Sequence, residues 1–278
     1  MPGTLYLVAT PIGNLEDITY RAVRVLREVD LIAAEDTRRT RVLLDRYGCA
    51  TPATSLHEHN EYRKAPALVA RLLSGASVAL VADAGTPVVS DPGLLLVRQA
   101  HDAGVPVVPV PGPSAVVAAL VASGAPPASF TFLGFPPRKL RDREQWCRSV
   151  CDSAHTVLFF EAPHRLLTTL RLLLEIAGDR RLALGRELTK AHEELVIGPM
   201  SEVLPRVGTP RGEYTGVLWP AESATPDTTG LPSPTDLARE LRTVAPQHPS
   251  RRAAIKSLAE KYGVGSREIY ECVERGKL

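Results

Sequence analysis

Four short segments of this chain combine glycine, proline, small hydroxylated residues and acids: TPIGN (Thr10–Asn14), EDTRRT (Glu35–Thr40), DAGTPVVSDPG (Asp83–Gly93) and PGPSA (Pro111–Ala115). Glycine lets a backbone approach a ligand closely, and a helix start offers free N–H groups to carboxylates or phosphates. One such segment is only a turn. Four at the ends of successive strands imply a ligand-lined cleft, with ordinary turns as the alternative. Within EDTRRT, Asp36 is followed by Arg38 and Arg39, an acid beside two cations able to grip phosphate. The competing reading is a structural ion pair between Asp36 and Arg38, at equal weight.

Absent motifs narrow the chemistry. No G-x-G-x-x-G follows the first apolar run, and neither a G-x-x-x-x-G-K-[ST] loop nor a G-x-S-x-G elbow occurs. These absences disfavour a dinucleotide-binding Rossmann domain, a P-loop nucleotidase and a serine hydrolase. His57 and His59 in LHEHN would need further ligands from elsewhere to hold a metal, so a hydrogen-bonded loop is favoured and no metal is assigned. The cysteines Cys49, Cys147, Cys151 and Cys272 are scattered and form no CxxC pair.

The elements that must position these segments alternate. TLYLVAT, LIAAEDT, a short run at Ala53–Leu56, SVALVAD and VPVVPV read as strands. Helical periodicity lies between them over Asp17–Glu28, Thr37–Tyr47, Glu61–Ser74 and up to Ala103. That order predicts an α/β domain over 1–113, a mainly parallel sheet with helices on its faces. A second pattern begins with the helix Ser114–Ser123: FTFLGF, a helix Asp142–Cys151, TVLFFEA, a helix Pro163–Ile176, then RLALGREL, EELVIGP and GEYTGVLWPA with little helix between them. This predicts a second α/β domain over 114–221 with a mixed sheet. Residues 222–234 are rich in Pro, Ser and Thr and read as a mobile linker. Over 235–278, a helix at Arg251–Lys261, the turn Gly263-Val264-Gly265 and a helix capped by Ser266 read as helix-turn-helix-like or as an ordinary hairpin, at even odds.

At 278 residues, 44% hydrophobic and 23% charged, the chain can bury a core without metals or disulfides. Ala103–Pro137 carries no charged residue, but its prolines leave only Ser114–Ser123 as continuous helix, half a bilayer span, so no membrane segment is expected. No signal-peptide pattern opens the sequence, and a cytoplasmic protein is expected. Net charge is only +2. The stretch Pro232–Leu278 nevertheless carries nine Lys or Arg against six Asp or Glu, and Arg138, Lys139, Arg141, Arg143 and Arg148 form a second cluster. Each is either a solvated face or a nucleic-acid contact.

LYLVATPIGNLEDIT, LIAAEDTRRT, VADAGTPVVSDPG, PGPSA, GRELTKAHEE and GEY, in this order, resemble the ribosomal RNA small-subunit methyltransferase I family of the tetrapyrrole-methylase superfamily. The likeness runs from Leu5 to about Trp219, and the tail resembles the family's C-terminal segment. It departs in the last strand, GEYTGVLWPAE, where relatives carry a plainer aliphatic run. The resemblance implies S-adenosyl-L-methionine bound in a cleft between two α/β domains, a homodimer, and 2′-O-methylation of a cytidine in the decoding region of 16S rRNA within the 30S subunit. Carried over by position, Pro11 borders the methyl-transfer region, and Asp83, Ala84, Gly85, Thr86 and Val88 hold the methionine end. Ser114, Ala115 and Leu133 to Phe135 wall the pocket, and Leu188 and Thr189 approach the adenine. Two other readings are a superfamily methyltransferase acting on a tetrapyrrole or other small molecule, and a noncatalytic nucleic-acid-binding protein.

For methyl transfer to a hydroxyl, a base among strand-end residues is required, and Glu35, Asp36, Asp83, Glu161, Glu187 and Lys190 qualify by position. A buried lysine of lowered pKa can act as a base or polarise the oxygen, which favours Lys190, with Asp36 and Glu35 next. RNA backbone contacts are expected from Arg38, Arg39, Arg138, Lys139, Arg141, Arg251, Arg252 and Lys256.

Overall fold

The computed structural model describes residues 1–151, 153–221, 232 and 234–275. The linker expected over 222–234 therefore lies almost wholly outside the described residues. The chain divides into two compact units, Met1–Trp219 and Pro220–Leu278.

Met1–Trp219 contains two five-stranded sheets. The first comprises β1 (Leu5–Val8), β2 (Leu31–Ala34), β3 (Ala53–Ser55), β4 (Val78–Val81) and β5 (Val107–Val110), in the order β3-β2-β4-β1-β5 and parallel throughout. β2 and β4 are buried at every position because helices cover both faces, which is why LIAA and VALV show no polar alternation. On one face α1 (Tyr20–Glu28) and α2 (Thr37–Arg46) bring Val25, Leu26, Leu43 and Leu44 onto Ile32, Ala79 and Val81. On the other, α3 (Glu61–Leu73) and α4 (Leu94–Asp102) bring Leu68, Leu72 and Leu96 onto Leu5, Ala33 and Leu80. Each buried leucine contributes about 1.5–3 kcal/mol, so this two-sided packing holds the strand ends in place. Thr19 caps α1, its hydroxyl accepting from Ala22 N at 3.1 Å, so the helix starts at Tyr20 and not at Asp17.

The second sheet comprises β6 (Phe130–Phe132), β7 (Thr156–Glu161), β8 (Arg181–Arg186), β9 (Glu194–Pro199) and β10 (Tyr214–Leu218), in the order β6-β7-β10-β8-β9. Only β6 and β7 pair in parallel, so the sheet is mixed as its sequence implies. α6 (Leu140–Cys151), α7 (Pro163–Ala177) and α8 (Met200–Arg206) cover one face. α8 went unforeseen because its seven residues are too few to establish a helical period, and Pro205 sits inside it. α5 (Ala115–Ser123) covers the other face, where Val116, Ala119 and Leu120 pack with Leu158, Ala183, Val217 and Ile12. Ile12 follows β1, so this cluster ties the first sheet's loops to the second sheet.

In Pro220–Leu278, α9 (Pro234–Val244), α10 (Arg251–Tyr262) and α11 (Ser266–Arg275) enclose their own core of Leu237, Leu241, Ile255, Leu258, Ile269 and Val273. The two tail helices and the glycine turn are where the sequence puts them, with Gly263 left-handed at the end of α10. The third helix, α9, makes this a three-helix cluster. Among the described residues no helix is long and apolar enough to cross a membrane.

Candidate active site

The loops that follow β1, β2, β4 and β5 all leave the same edge of the parallel sheet, since parallel strands end on one side. They are bonded to one another. Thr10 and Gly85 exchange backbone hydrogen bonds of 2.9 and 3.0 Å, and Thr86 Oγ1 donates to Pro113 O at 3.3 Å. Asp83 Oδ1 accepts from Asp36 N at 2.9 Å, and Asp83 N donates to Glu35 at 3.4 Å. Glu61 Oε1 accepts from Leu95 N at 2.7 Å and Leu96 N at 3.3 Å, which closes the N-terminus of α4 where Gly93 offers no capping side chain. Val88 and Ser90 adopt φ of 73° and 67°, a costly conformation for side-chain-bearing residues that the surrounding bonds must enforce.

Together with the second sheet these loops enclose a cleft of about 390 Å³. Its acidic side is Glu35, Asp83 and Asp91. Its apolar lining includes Ile12, Val116, Phe135 and Phe160, and Glu161, Glu213 and Tyr214 also line it. Burial raises the Glu35 pKa, reinforced by Asp83. Burial, with Glu35 and Asp83 adding repulsion, pushes Asp91 up to about 7. Arg39, 3.3 Å from Asp83, is the cation lining this side. The cleft thus holds more carboxylate than its own cations neutralise, and it fits a ligand with positive charge next to a flat apolar group. A sulfonium amino acid carrying an adenine has that chemistry.

The structure brings together Glu35, Arg39, Asp83, Ala84, Gly85, Thr86, Ser114, Ala115 and Phe135 on the cleft wall. Pro11, Val88, Leu133, Leu188 and Thr189 are not part of that lining. Leu188 is buried in the core beside Ile12, and Thr189 Oγ1 accepts from Asn14 N at 3.0 Å. Gly13 permits this contact, because a Cβ there would fall 2.3 Å from Lys190 Cγ and 2.8 Å from Thr189 Oγ1. Asp36 caps α2 and pairs with Arg38 at 2.7 Å, which holds its carboxyl far below the usual range and makes it a poor base. The ion-pair alternative describes this pair.

Two expectations need correction. Lys190 does not carry a lowered pKa. Burial opposes its charge, but hydrogen bonds to Glu187 Oε1 at 2.9 Å and Glu213 Oε2 at 3.0 Å outweigh that and raise it. It is held as an ammonium ion, unsuited to accept a proton. Arg143, read as part of a phosphate-binding cluster, is buried and donates to Pro137 O at 2.9 Å and Arg138 O at 2.8 Å. Its guanidinium is occupied by backbone carbonyls, whereas Arg138, Lys139 and Arg141 are exposed.

Asp91 was missed. It stands within the quoted segment DAGTPVVSDPG, but its position before Pro-Gly reads as turn chemistry, and only the folded loop carries it beside Glu35. Glu213, next to Gly212 in the GEY segment, was missed for a similar reason.

A family model described as Tetrapyrrole (Corrin/Porphyrin) Methylases matches residues 4–204. A protein of Halalkalibacterium halodurans named Ribosomal RNA small subunit methyltransferase I is 44% identical over 271 residues, 96% of this chain and 93% of that one. A protein of the same name from Mesorhizobium japonicum is 46% identical over 254 residues, 90% of this chain and 84% of that one. Among solved structures, uroporphyrin-III C-methyl transferase from Thermus thermophilus, complexed with S-adenyl homocysteine, superposes with a TM-score of 0.56 at 21% identity. The match covers 78% of this chain and 97% of that one.

Proposed function

We propose, on the premise that this chain belongs to the tetrapyrrole methylases and within them to the ribosomal RNA small subunit methyltransferase I family, that it methylates small-subunit ribosomal RNA with S-adenosyl-L-methionine. The target is the ribose 2′-hydroxyl of a cytidine in the decoding region of 16S rRNA, within the 30S subunit. The observation that carries the reading is the cleft itself, whose carboxylates exceed its cations and whose lining also includes Ile12, Val116, Phe135 and Phe160. The bound cofactor supplies an electrophilic methyl group on a positively charged sulfur.

Asp83, Ala84, Gly85 and Thr86 would hold its methionine end, and Ser114 and Ala115 its nucleoside side. Pro11, Val88, Leu133, Leu188 and Thr189 act from behind the lining, by fixing the loops that form it. Asp91 takes the 2′-hydroxyl proton: it faces the cleft, and burial beside Glu35 and Asp83 pushes it up to about 7, where a base is most effective near neutral pH. Glu35, also raised, shares that negative field. Lys190 stays protonated and ties Glu187 to Glu213, the latter on the cleft lining.

Arg38 and Arg39 at the cleft edge, Arg138, Lys139 and Arg141 after β6, and Arg251, Arg252 and Lys256 on α10 contact RNA phosphates. A homodimer is supported by α5, apolar on every face yet exposing Val117 and Val121. The protein works in the cytoplasm, where assembled 30S subunits are found.

The test is methyl transfer from labelled cofactor to 30S subunits from cells lacking the gene, followed by mass mapping of the 16S rRNA. One ribose methyl at a decoding-region cytidine is the expected result. Labelling of a tetrapyrrole and not of RNA would overturn the assignment.

A further inference from the structure

All five phenylalanines of the chain fall within residues 130–160, a notable concentration where aromatic residues are only 5% of the total. Phe159 is buried in the core. Phe160 stands at the cleft, with Phe132 at 4.8 Å and Phe135 at 5.5 Å between ring centroids. Phe135 is the outermost of these rings. It lines the cleft, yet 52% of its surface is open to solvent, an unfavourable exposure for a phenyl ring with no further partner.

The backbone after Phe135 is held with unusual thoroughness. Pro136 and Pro137 have no N–H, so this stretch cannot brace itself by strand pairing. Two guanidiniums do it instead. Arg165 donates to Pro136 O and, at 3.4 Å, to Pro137 O, while Arg143 donates to Pro137 O and Arg138 O. Arg165 is in turn oriented by Glu161, whose carboxylate is fully buried and accepts from Thr169 Oγ1 at 2.5 Å. The outcome is a segment braced at three successive carbonyls, with Phe135 at the cleft and Arg138, Lys139 and Arg141 exposed just beyond it. Among the described residues no carboxylate pairs with those three cations.

We infer that Phe135 and the cations Arg138, Lys139 and Arg141 form a platform for single-stranded RNA, on which the base of the target nucleotide stacks against Phe135 while the flanking phosphates meet the cations. An exposed ring beside unpaired cations is the combination that binds unstacked nucleotides, and rigid support keeps the entropic cost of binding low. Arg138 lies three residues from Phe135, within about 10 Å along an extended backbone, so both contacts belong to neighbouring nucleotides. The assignment rests on the RNA-methylating reading above and moves Phe135 from the cofactor wall to the substrate side.

The test uses the full-length protein with unmethylated 30S subunits, comparing Phe135→Ala, Phe135→Trp and the triple variant Arg138→Gln/Lys139→Gln/Arg141→Gln. Phe135→Ala is expected to raise KM for the subunit about 10- to 100-fold, leave the cofactor Kd within about twofold, and be rescued by Phe135→Trp. The triple variant is expected to flatten the salt dependence of KM while keeping the cofactor Kd. An unchanged KM, or a cofactor Kd weakened as much as KM, overturns the platform. Failure of the wild-type protein to label the subunit sinks the RNA reading itself, and so is distinct from a wild type that labels while Phe135→Ala behaves identically.

Discussion

Asp91 and Glu35, from loops at the ends of different strands, face the same cleft, and the Glu35 carboxylate adds to the reluctance of Asp91 to ionise. Burial is the larger cause of the Asp91 shift, with Glu35 and then Asp83 adding repulsion, while Arg39 lies 3.3 Å from Asp83. With Asp91 at about 7, log kcat/KM is expected to rise with pH up to about 7 and then level off, since the base form accumulates. A cationic cofactor favours the ionised carboxylate, so the midpoint in kcat should lie lower than that in kcat/KM. Asp91→Asn should lower kcat by about 10²–10⁴-fold and abolish the acidic limb, and by linkage should weaken cofactor binding at pH 8, where the wild-type carboxylate is ionised, more than at pH 5. A full-rate, pH-dependent Asp91→Asn enzyme would exclude Asp91 as the base.

The same shift has a stability consequence. A carboxyl whose folded pKa lies above its unfolded value contributes its stability below the unfolded value and loses it as pH rises through about 7. Asp91→Asn is therefore expected to be more stable than wild type at pH 8 by about 1 kcal/mol after solvent screening, and to melt higher there, with no such gain at pH 4. Thermal unfolding at the two pH values checks the sign.

Lys190 bridges two carboxylates, and its loss leaves Glu187 and Glu213 facing each other. Lys190→Met is expected to lower Tm and loosen the Asn14–Thr189 contact while keeping the acidic limb of the rate profile. Disappearance of that limb, with the fold intact by circular dichroism, would restore Lys190 as the base.

Arg143 satisfies the carbonyls of Pro137 and Arg138 from a buried position. Arg143→Ala removes the donor to Arg138 O and leaves Pro137 O only the 3.4 Å bond from Arg165, at about 1–3 kcal/mol in total. Limited trypsin digestion should then cut after Arg138, Lys139 or Arg141 much faster than in wild type. Equal digestion rates would show that the segment is held by other means.

Gly216 lies opposite Phe159 in the β7–β10 ladder, and a Cβ at 216 would come within 2.3 Å of the ring. Gly216→Ala is expected to destabilise by about 1–3 kcal/mol through overpacking, and Phe159→Ala by about 3–5 kcal/mol through a cavity. The double variant should cost less than the sum, read from denaturant midpoints.

Much of this protein was legible along the chain. Alternating apolar runs and amphipathic helices announce a parallel sheet followed by a mixed one. TPIGN, EDTRRT, DAGTPVVSDPG and PGPSA identify themselves as strand-end loops, because glycine, proline and capping residues act through local backbone geometry that neighbours in sequence determine. The roles of individual charged groups were not legible. Lys190 became a fixed cation because Glu213, just before β10, reaches it; Arg143 became a buried brace because α6 turns it toward Pro137; and Asp91 acquired its basicity from burial, with Glu35 and Asp83 adding repulsion. A pKa depends on burial and on charges a few ångströms away, and such distances exist only once remote segments have packed together.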